Sequence, residues 1–179
     1  ERIDVSETNI SVVGESASLH EVITSARADK DEDDSKTVYV NINKSGYSEF
    51  LGTRNSMEDS IILRDDLNLF AVLDGHGGPD TAKYGSIEIS KLFESKIESS
   101  LLKFDNSSQI FLEVFQKVEE GLKMMSFVDG STLCLAMICK DESGNRKVAT
   151  AHLGDARALI VRKDGASREL TKDHKPSNR

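Results

Sequence analysis

The spacing of hydrophobic positions changes twice along the chain. Residues 1–45 carry few of them and are polar and acidic, with one weak helical patch over "ASLHEVITSARA". "TVYVNI" then reads as a strand, followed by "YSEFLGTR". Two apolar runs, 61–63 and 67–73, flank Arg64-Asp65-Asp66, and this predicts a β-hairpin with a short polar turn. The core of the second run, "LFAVL", is nearly continuous, as in a strand buried on both faces. Beyond the glycines of "DGHGG" the period lengthens. Ile89, Leu92, Phe93, Ile97 and Leu101 recur at three and four residues, which predicts one face of an amphipathic helix over 81–102. Asp105-Asn106-Ser107-Ser108 supplies cap-type residues. A second helix then places Phe111, Val114, Phe115, Val118, Leu122 and Met125 along one side. From Gly130 the strand pattern returns in "STLCLAMIC", "KVATAHLG" and "ARALIVRK", separated by "KDESGNR" and "GDA" and closed by "KDGA".

Strands, two long helices and then an antiparallel meander make an α+β order, with helices packed on an antiparallel sheet. The strand–helix alternation of a doubly wound fold is missing. Both helical stripes are explained as core faces and need no cofactor. Cys134 and Cys139 lie five apart in one apolar run. On a strand that odd spacing sends them to opposite faces, so the expectation is two buried thiols rather than a disulfide or a zinc site.

Composition narrows the function classes. With 37% hydrophobic and 30% charged residues, the chain has the make-up of an ordinary globular domain. A formal charge of −8 offers little to a phosphate backbone, so no nucleic-acid partner is expected. No apolar run has the length of a membrane span, and no signal peptide is visible, which points to a cytoplasmic or nuclear protein. The run "DKDEDDSK" fails as a calcium loop. Counted from Asp29, position six is Asp34 instead of glycine and position twelve is Val40 instead of glutamate. It reads as a solvated charge run in a linker.

The candidate chemistry gathers where the hydrophobic run stops. Asp74 ends a strand, and Gly75, His76, Gly77 and Gly78 follow it. Mg²⁺ and Mn²⁺ take oxygen ligands, and a carboxylate fixed at a strand end is one such ligand. Gly75 has no side chain, so its carbonyl is open to an ion. One hairpin earlier, "RNSMEDS" carries Arg54, Glu58 and Asp59. If Asp59 opens the strand that pairs with the one ending in Asp74, the two acidic ends lie side by side. Hydrolysis of a phosphate ester needs a clamp for the phosphate, an activated water and a proton donor for the leaving group. Arg54 suits the first, a metal-bridging hydroxide the second and His76 the third. Taken singly, a strand-end aspartate is as readily a turn residue and a loop histidine as readily a solvated one.

The order of the motifs is more specific. "TRNSMEDS", "FAVLDGHGG", "DGSTLCLAMI", "AHLGDARALI" and "LTKDHKP", in this order from Arg54 to Pro176, resemble the PPM family of metal-dependent serine/threonine protein phosphatases, the type 2C phosphatases. The resemblance implies an antiparallel β-sandwich flanked by helices. It implies hydrolysis of phosphoserine and phosphothreonine in phosphoprotein substrates by a hydroxide bridging two Mg²⁺ or Mn²⁺ ions, in a monomer. It makes Asp74 the bridging ligand, the Gly75 carbonyl a ligand to one ion, and Glu58 and Asp59 holders of metal-bound water. Arg54 would bind the phosphate, His76 would be the general acid, and Asp155 of "LGDAR" would serve a weaker third metal. Thr132, Arg157, Asp173 and His174 would be framework, with His174 a hydrogen-bonded loop residue.

The chain also departs from the pattern. Ala156 stands where the family often has serine and Leu133 where a smaller residue is common. The family domain continues through two further aspartate motifs that complete the metal centre. Residues 1–45 are therefore expected to be an acidic leader or linker, and 46–179 the N-terminal portion of the catalytic domain. With its C-terminal part missing, this chain alone is expected to be inactive. Two other readings stay open: a non-catalytic phosphatase-like binding module, and a metal-dependent hydrolase of small phosphoesters.

Overall fold

The computed structural model describes residues 21–25, 36–38, 45–98, 103–162 and 164–175. In chain order the elements are β1 (Glu21–Ser25), β2 (Lys36–Val38), β3 (Tyr47–Glu49), β4 (Ser60–Arg64), β5 (Leu69–Leu73) and the two-residue β6 (Gly75–His76). Helix α1 (Asp80–Glu98) follows, then a 3-10 turn (Phe104–Asn106) and helix α2 (Ser107–Met124). The chain returns to strands with β7 (Gly130–Ser131), β8 (Leu133–Lys140), β9 (Arg146–Leu153), β10 (Arg157–Val161) and β11 (Ser167–Glu169).

A four-stranded antiparallel sheet in the order β4-β5-β8-β9 is the centre of the molecule. Its side chains alternate between two cores. Leu133, Leu135 and Met137 of β8 join Leu69, Ala71 and Leu73 of β5 beneath the helices, against Ile89, Phe93, Phe111, Val114 and Phe115. Cys134 and Ala136 point the other way, into a second core with Val148, Ala156, Ala158, Ile160 and Leu170. That second core lies between the central sheet and a three-stranded sheet, β1-β10-β11. A strand covered on both faces has no polar side to show, and this is why β8 reads as an unbroken apolar run. The two helices meet edge to face at Phe93 and Phe111, with ring centroids 5.5 Å apart. Lys96 of α1 and Glu113 of α2 pair at 2.7 Å above them.

The expected α+β class is the one observed, and so are the hairpin, both helices and the opposed cysteines. Burial alone pushes the Cys134 thiol up to about 12 and, as the main cause, the Cys139 thiol up to about 11, so neither forms a thiolate readily at neutral pH. Four details differ. The hairpin turn runs on to Asn68, which takes a positive φ of 51°. Strand β5 is fully buried only on its helix side; Phe70 and Val72 on its other face are half-buried. Residues 21–25 are a strand and not part of a helix. They include β-branched Val22, Ile23 and Thr24, and pairing with β10 settles what local pattern left weak. The last strands do not continue one meander: β10 leaves the central sheet and joins the second one. The chain changes sheets at Gly154, whose φ of +92° is open to glycine and costly for other residues. The run 29–35, residues 39–44 and residues 99–102 lie outside the described residues.

Candidate active site

The β4–β5 register fixes the first part of the site. Ser60 pairs with Leu73, so Asp59 and Asp74 are the residues that follow at the open end of the hairpin. Their carboxyl groups lie close enough to act on one another. Burial, then the charge and close approach of Asp74, hold the Asp59 carboxyl above its usual range, against the opposing effect of the Gly75 backbone N–H. Burial, then the Asp155 charge, likewise raise Asp74, against the opposing pull of Asp59, His76 and Arg54. Neither carboxylate is salt-bridged by a described lysine or arginine; Arg54 acts on Asp74 only through its charge. Two like charges pressed together and partly removed from water favour a proton or a cation between them.

The next residues are held by close backbone approaches. A Cβ on Gly75 would collide with the Glu58 carbonyl oxygen, so only glycine lets the segment before β4 pass this close. Strand β6 pairs with β7, with Gly75 opposite Ser131 and His76 opposite Gly130. The exposed His76 ring covers Gly130 so closely that a Cβ there would lie 2.5 Å from His76 Nε2. The β7–β8 junction also holds Asp74. Thr132 N–H donates to the Asp74 carbonyl at 2.9 Å, and Asp74 N–H donates to Thr132 Oγ1 at 3.3 Å.

Asp129, just before β7, accepts from the N–H of Asp80 at 2.7 Å and of Thr81 at 3.3 Å, and from the Thr81 hydroxyl at 2.7 Å. It thereby caps the N-terminus of α1 from 49 residues away. Burial opposes its charge, but these donors together keep its carboxyl below the usual range.

The remaining expected residues sit around this core. Arg54 is exposed on a tight turn closed by its N–H to the Leu51 carbonyl at 3.2 Å. Asp155 is half-buried in the β9–β10 turn, near enough to raise Asp74. Glu58 is half-buried and meets the loop through its backbone. Of the residues expected to be framework, Arg157, Asp173 and His174 are tied down by hydrogen bonds. Arg157 grips Asp173 through two bonds of 2.6 and 2.7 Å. His174 is a hydrogen-bonded loop residue: its Nδ1 accepts from Gly154 N–H at 3.3 Å, and its own N–H donates to the Gly154 carbonyl at 2.9 Å. Sequence reasoning missed Glu49 of β3, whose charge also reaches Asp59, and the capping role of Asp129. The only sequence signal for the cap is an aspartate beside "GST", which does not say which helix it meets.

Among the described residues, no three histidine, cysteine, aspartate or glutamate side chains converge closely enough to hold an ion by themselves. The convergent unit is the Asp59–Asp74 pair, with Asp155 adding charge and the Gly75 backbone alongside. That oxygen-only, excess-negative arrangement fits a hard divalent cation.

Residues 43–179 match the family model described as protein phosphatase 2C. The probable protein phosphatase 2C 55 of Oryza sativa subsp. japonica is 33% identical over 144 residues, covering 75% of this chain and 36% of that protein. Protein phosphatase 1L of Bos taurus is 29% identical over 139 residues, covering 70% of this chain and 37% of that one. The chain thus spans little more than a third of the length of these relatives. Among solved structures, the PPM Ser-Thr phosphatase MsPP from Mycobacterium smegmatis, in complex with cacodylate, has a similar fold, with a TM-score of 0.54 and 22% identity. That match covers 88% of this chain and 55% of that one. By its motifs, its sheets and the family model that spans most of its length, the chain belongs to the protein phosphatase 2C family.

Proposed function

We propose that this chain contributes the active site of a metal-dependent phosphatase that hydrolyses phosphoserine and phosphothreonine in proteins. The observation that carries the reading is the Asp59–Asp74 pair at the open end of the hairpin, with Arg54 and His76 within electrostatic reach of it. Asp74, the Gly75 carbonyl, Asp59, Glu58 and Asp155 are the groups that would hold Mg²⁺ or Mn²⁺. When bound, such ions would supply Lewis acidity and make a water more acidic and so more nucleophilic.

The chain's own residues do the rest. Arg54 stands exposed on its turn and offers a planar fork to the phosphate oxygens. His76 stands exposed at the mouth of the site, where an imidazolium can protonate the departing serine or threonine oxygen. The short β6–β7 pairing keeps that ring beside the strand end that carries Asp74. Water supplies the oxygen gained by phosphorus, and the alcohol leaves with the proton from His76.

The test is Mn²⁺-dependent hydrolysis of a phosphothreonine peptide by the full-length protein, with Asp74→Ala as the control. The variant is expected to lose activity, and full turnover in it would sink the metal mechanism. The absence of a converged triple of ligands among the described residues favours a second reading, a phosphatase-like binding module. A full-length protein that binds no Mn²⁺ by calorimetry would select it.

A further inference from the structure

We infer that Thr132 is a positioning residue that fixes Asp74 and Asp155 relative to one another; this rests on the metal role proposed for those two aspartates. Thr132 lies between β7 and β8 and does two different things with the two arms of its branched side chain. Its hydroxyl oxygen accepts from Asp74 N–H at 3.3 Å, and its own N–H donates to the Asp74 carbonyl at 2.9 Å. Asp74 follows the last residue of β5, so these bonds replace the sheet pairing it would otherwise lack.

The methyl arm faces Gly154. A Cβ on that glycine would lie 2.7 Å from Thr132 Cγ2 and 2.9 Å from Thr132 Cβ. Thr132 therefore occupies the space that any other residue at 154 would need. It presses on the turn whose next residue is Asp155. On its other side the turn is held by His174, which donates its N–H to the Gly154 carbonyl and accepts from Gly154 N–H at Nδ1. Gly154 is clamped between the two, and Asp155 is the next residue of the same turn. One side chain thus sets the spacing of two acidic residues that leave strands β5 and β9 of the same central sheet.

The two arms can be tested apart. Thr132→Val keeps the methyl and loses the hydroxyl acceptor; Thr132→Ser keeps the hydroxyl and loses the methyl. In the full-length protein, Mn²⁺ affinity is read by calorimetry, together with melting temperature in EDTA and kcat and KM for a phosphothreonine peptide at saturating Mn²⁺. Each variant is expected to bind Mn²⁺ about tenfold more weakly, the scale for residues that orient ligands without touching the ion. KM for the peptide is expected to stay unchanged, because neither arm reaches the Arg54 turn. Wild-type Mn²⁺ affinity in both variants overturns the inference. So does a melting loss in EDTA with Mn²⁺ affinity intact, which makes Thr132 a packing residue only. A wild-type protein that binds no Mn²⁺ removes the proposed function and this inference with it, whereas wild-type binding abolished by Asp74→Ala but untouched by either Thr132 variant removes this inference alone.

Discussion

Asp59 and Asp74 face each other across the open end of the β4–β5 hairpin, close enough that each carboxyl acts on the other. Burial, and then the charge of a neighbouring aspartate, raises both carboxyls above their usual range. Two carboxyls crowded in this way oppose each other's ionisation, and this electrostatic strain is relieved when one charge is removed or a cation is added.

Asp59→Asn removes that strain permanently. The full-length variant is expected to melt slightly higher than wild type in EDTA, by roughly 0.5 kcal/mol because both carboxyls are partly solvated. Wild type is expected to gain stability as Mn²⁺ is added, by mass action on the folded state, and the variant is expected to gain less. Scanning fluorimetry across an Mn²⁺ titration reads both effects. A variant that melts below wild type in EDTA yet responds normally to Mn²⁺ contradicts the picture of a crowded carboxylate pair.

Asp129→Ala removes the acceptor for two backbone N–H groups and for the Thr81 hydroxyl at the start of α1. A lost N-cap costs about 1–2 kcal/mol, and this one also ties α1 to β7. Urea unfolding is expected to show a loss at the upper end of that range. Asp129→Asn retains an acceptor oxygen and is expected to lose less than half as much. Equal losses in the two variants would mean that charge, and not the acceptor geometry, does the capping.

The parts of this design that local pattern reveals are the ones made by neighbours in sequence. Ile61 to Leu73 folds on itself over a short polar turn, so the hairpin, and with it the meeting of Asp59 and Asp74, follows from alternation and turn chemistry. Both helices follow from their stripes. The unread parts are long-range. Nothing near Gly154 says that β10 will leave β9 for a partner at residues 21–25, because both sheets need the same apolar alternation. Asp129 is one aspartate among many until α1 is placed against it. The cations of the proposed mechanism are likewise legible only through the family resemblance; the described side chains show a crowded Asp59–Asp74 pair and no more.

Gly130→Ala places a methyl group where the His76 ring now lies, 2.5 Å from Nε2. Gly130 is not among the residues with positive φ, so alanine is compatible with its backbone and the ring must yield. His76 is exposed and moves at little cost, and the melting temperature is expected to change within about 0.5 kcal/mol of wild type. Turnover is another matter: a proton donor displaced by about an ångström loses on the order of a hundredfold. kcat for a phosphothreonine peptide, measured beside the melting curve, separates the two. A fully active variant would falsify the assignment of His76 as general acid.

Acid should unfold the protein in two stages, the first set by His152. Its ring is 1% exposed and donates from Nε2 to the Lys172 carbonyl at 2.7 Å. Its Nδ1 has no partner among the described residues, and the ring lies 4.5 Å from that of His174. Burial first, and then His174, hold its pKa below the ordinary value, although the Lys172 carbonyl and Asp173 pull the other way. A histidine with a lowered folded pKa takes up its proton more readily when unfolded, so stability falls as pH drops below about 6.5 toward the folded pKa. The second stage belongs to Asp173. Its bonds to Arg157, and then to Lys175, hold it well below the usual carboxylate range despite its burial. The stability it contributes is present above about pH 4 and is lost as pH falls further, through its folded pKa. Urea midpoints from pH 8 to pH 3 are expected to decline in these two windows. His152→Asn, which can still donate to the Lys172 carbonyl, is expected to flatten the first decline and leave the second. Asp173→Asn is expected to flatten the second and to lower the midpoint at neutral pH. A first decline that persists unchanged without His152 would assign it to another group.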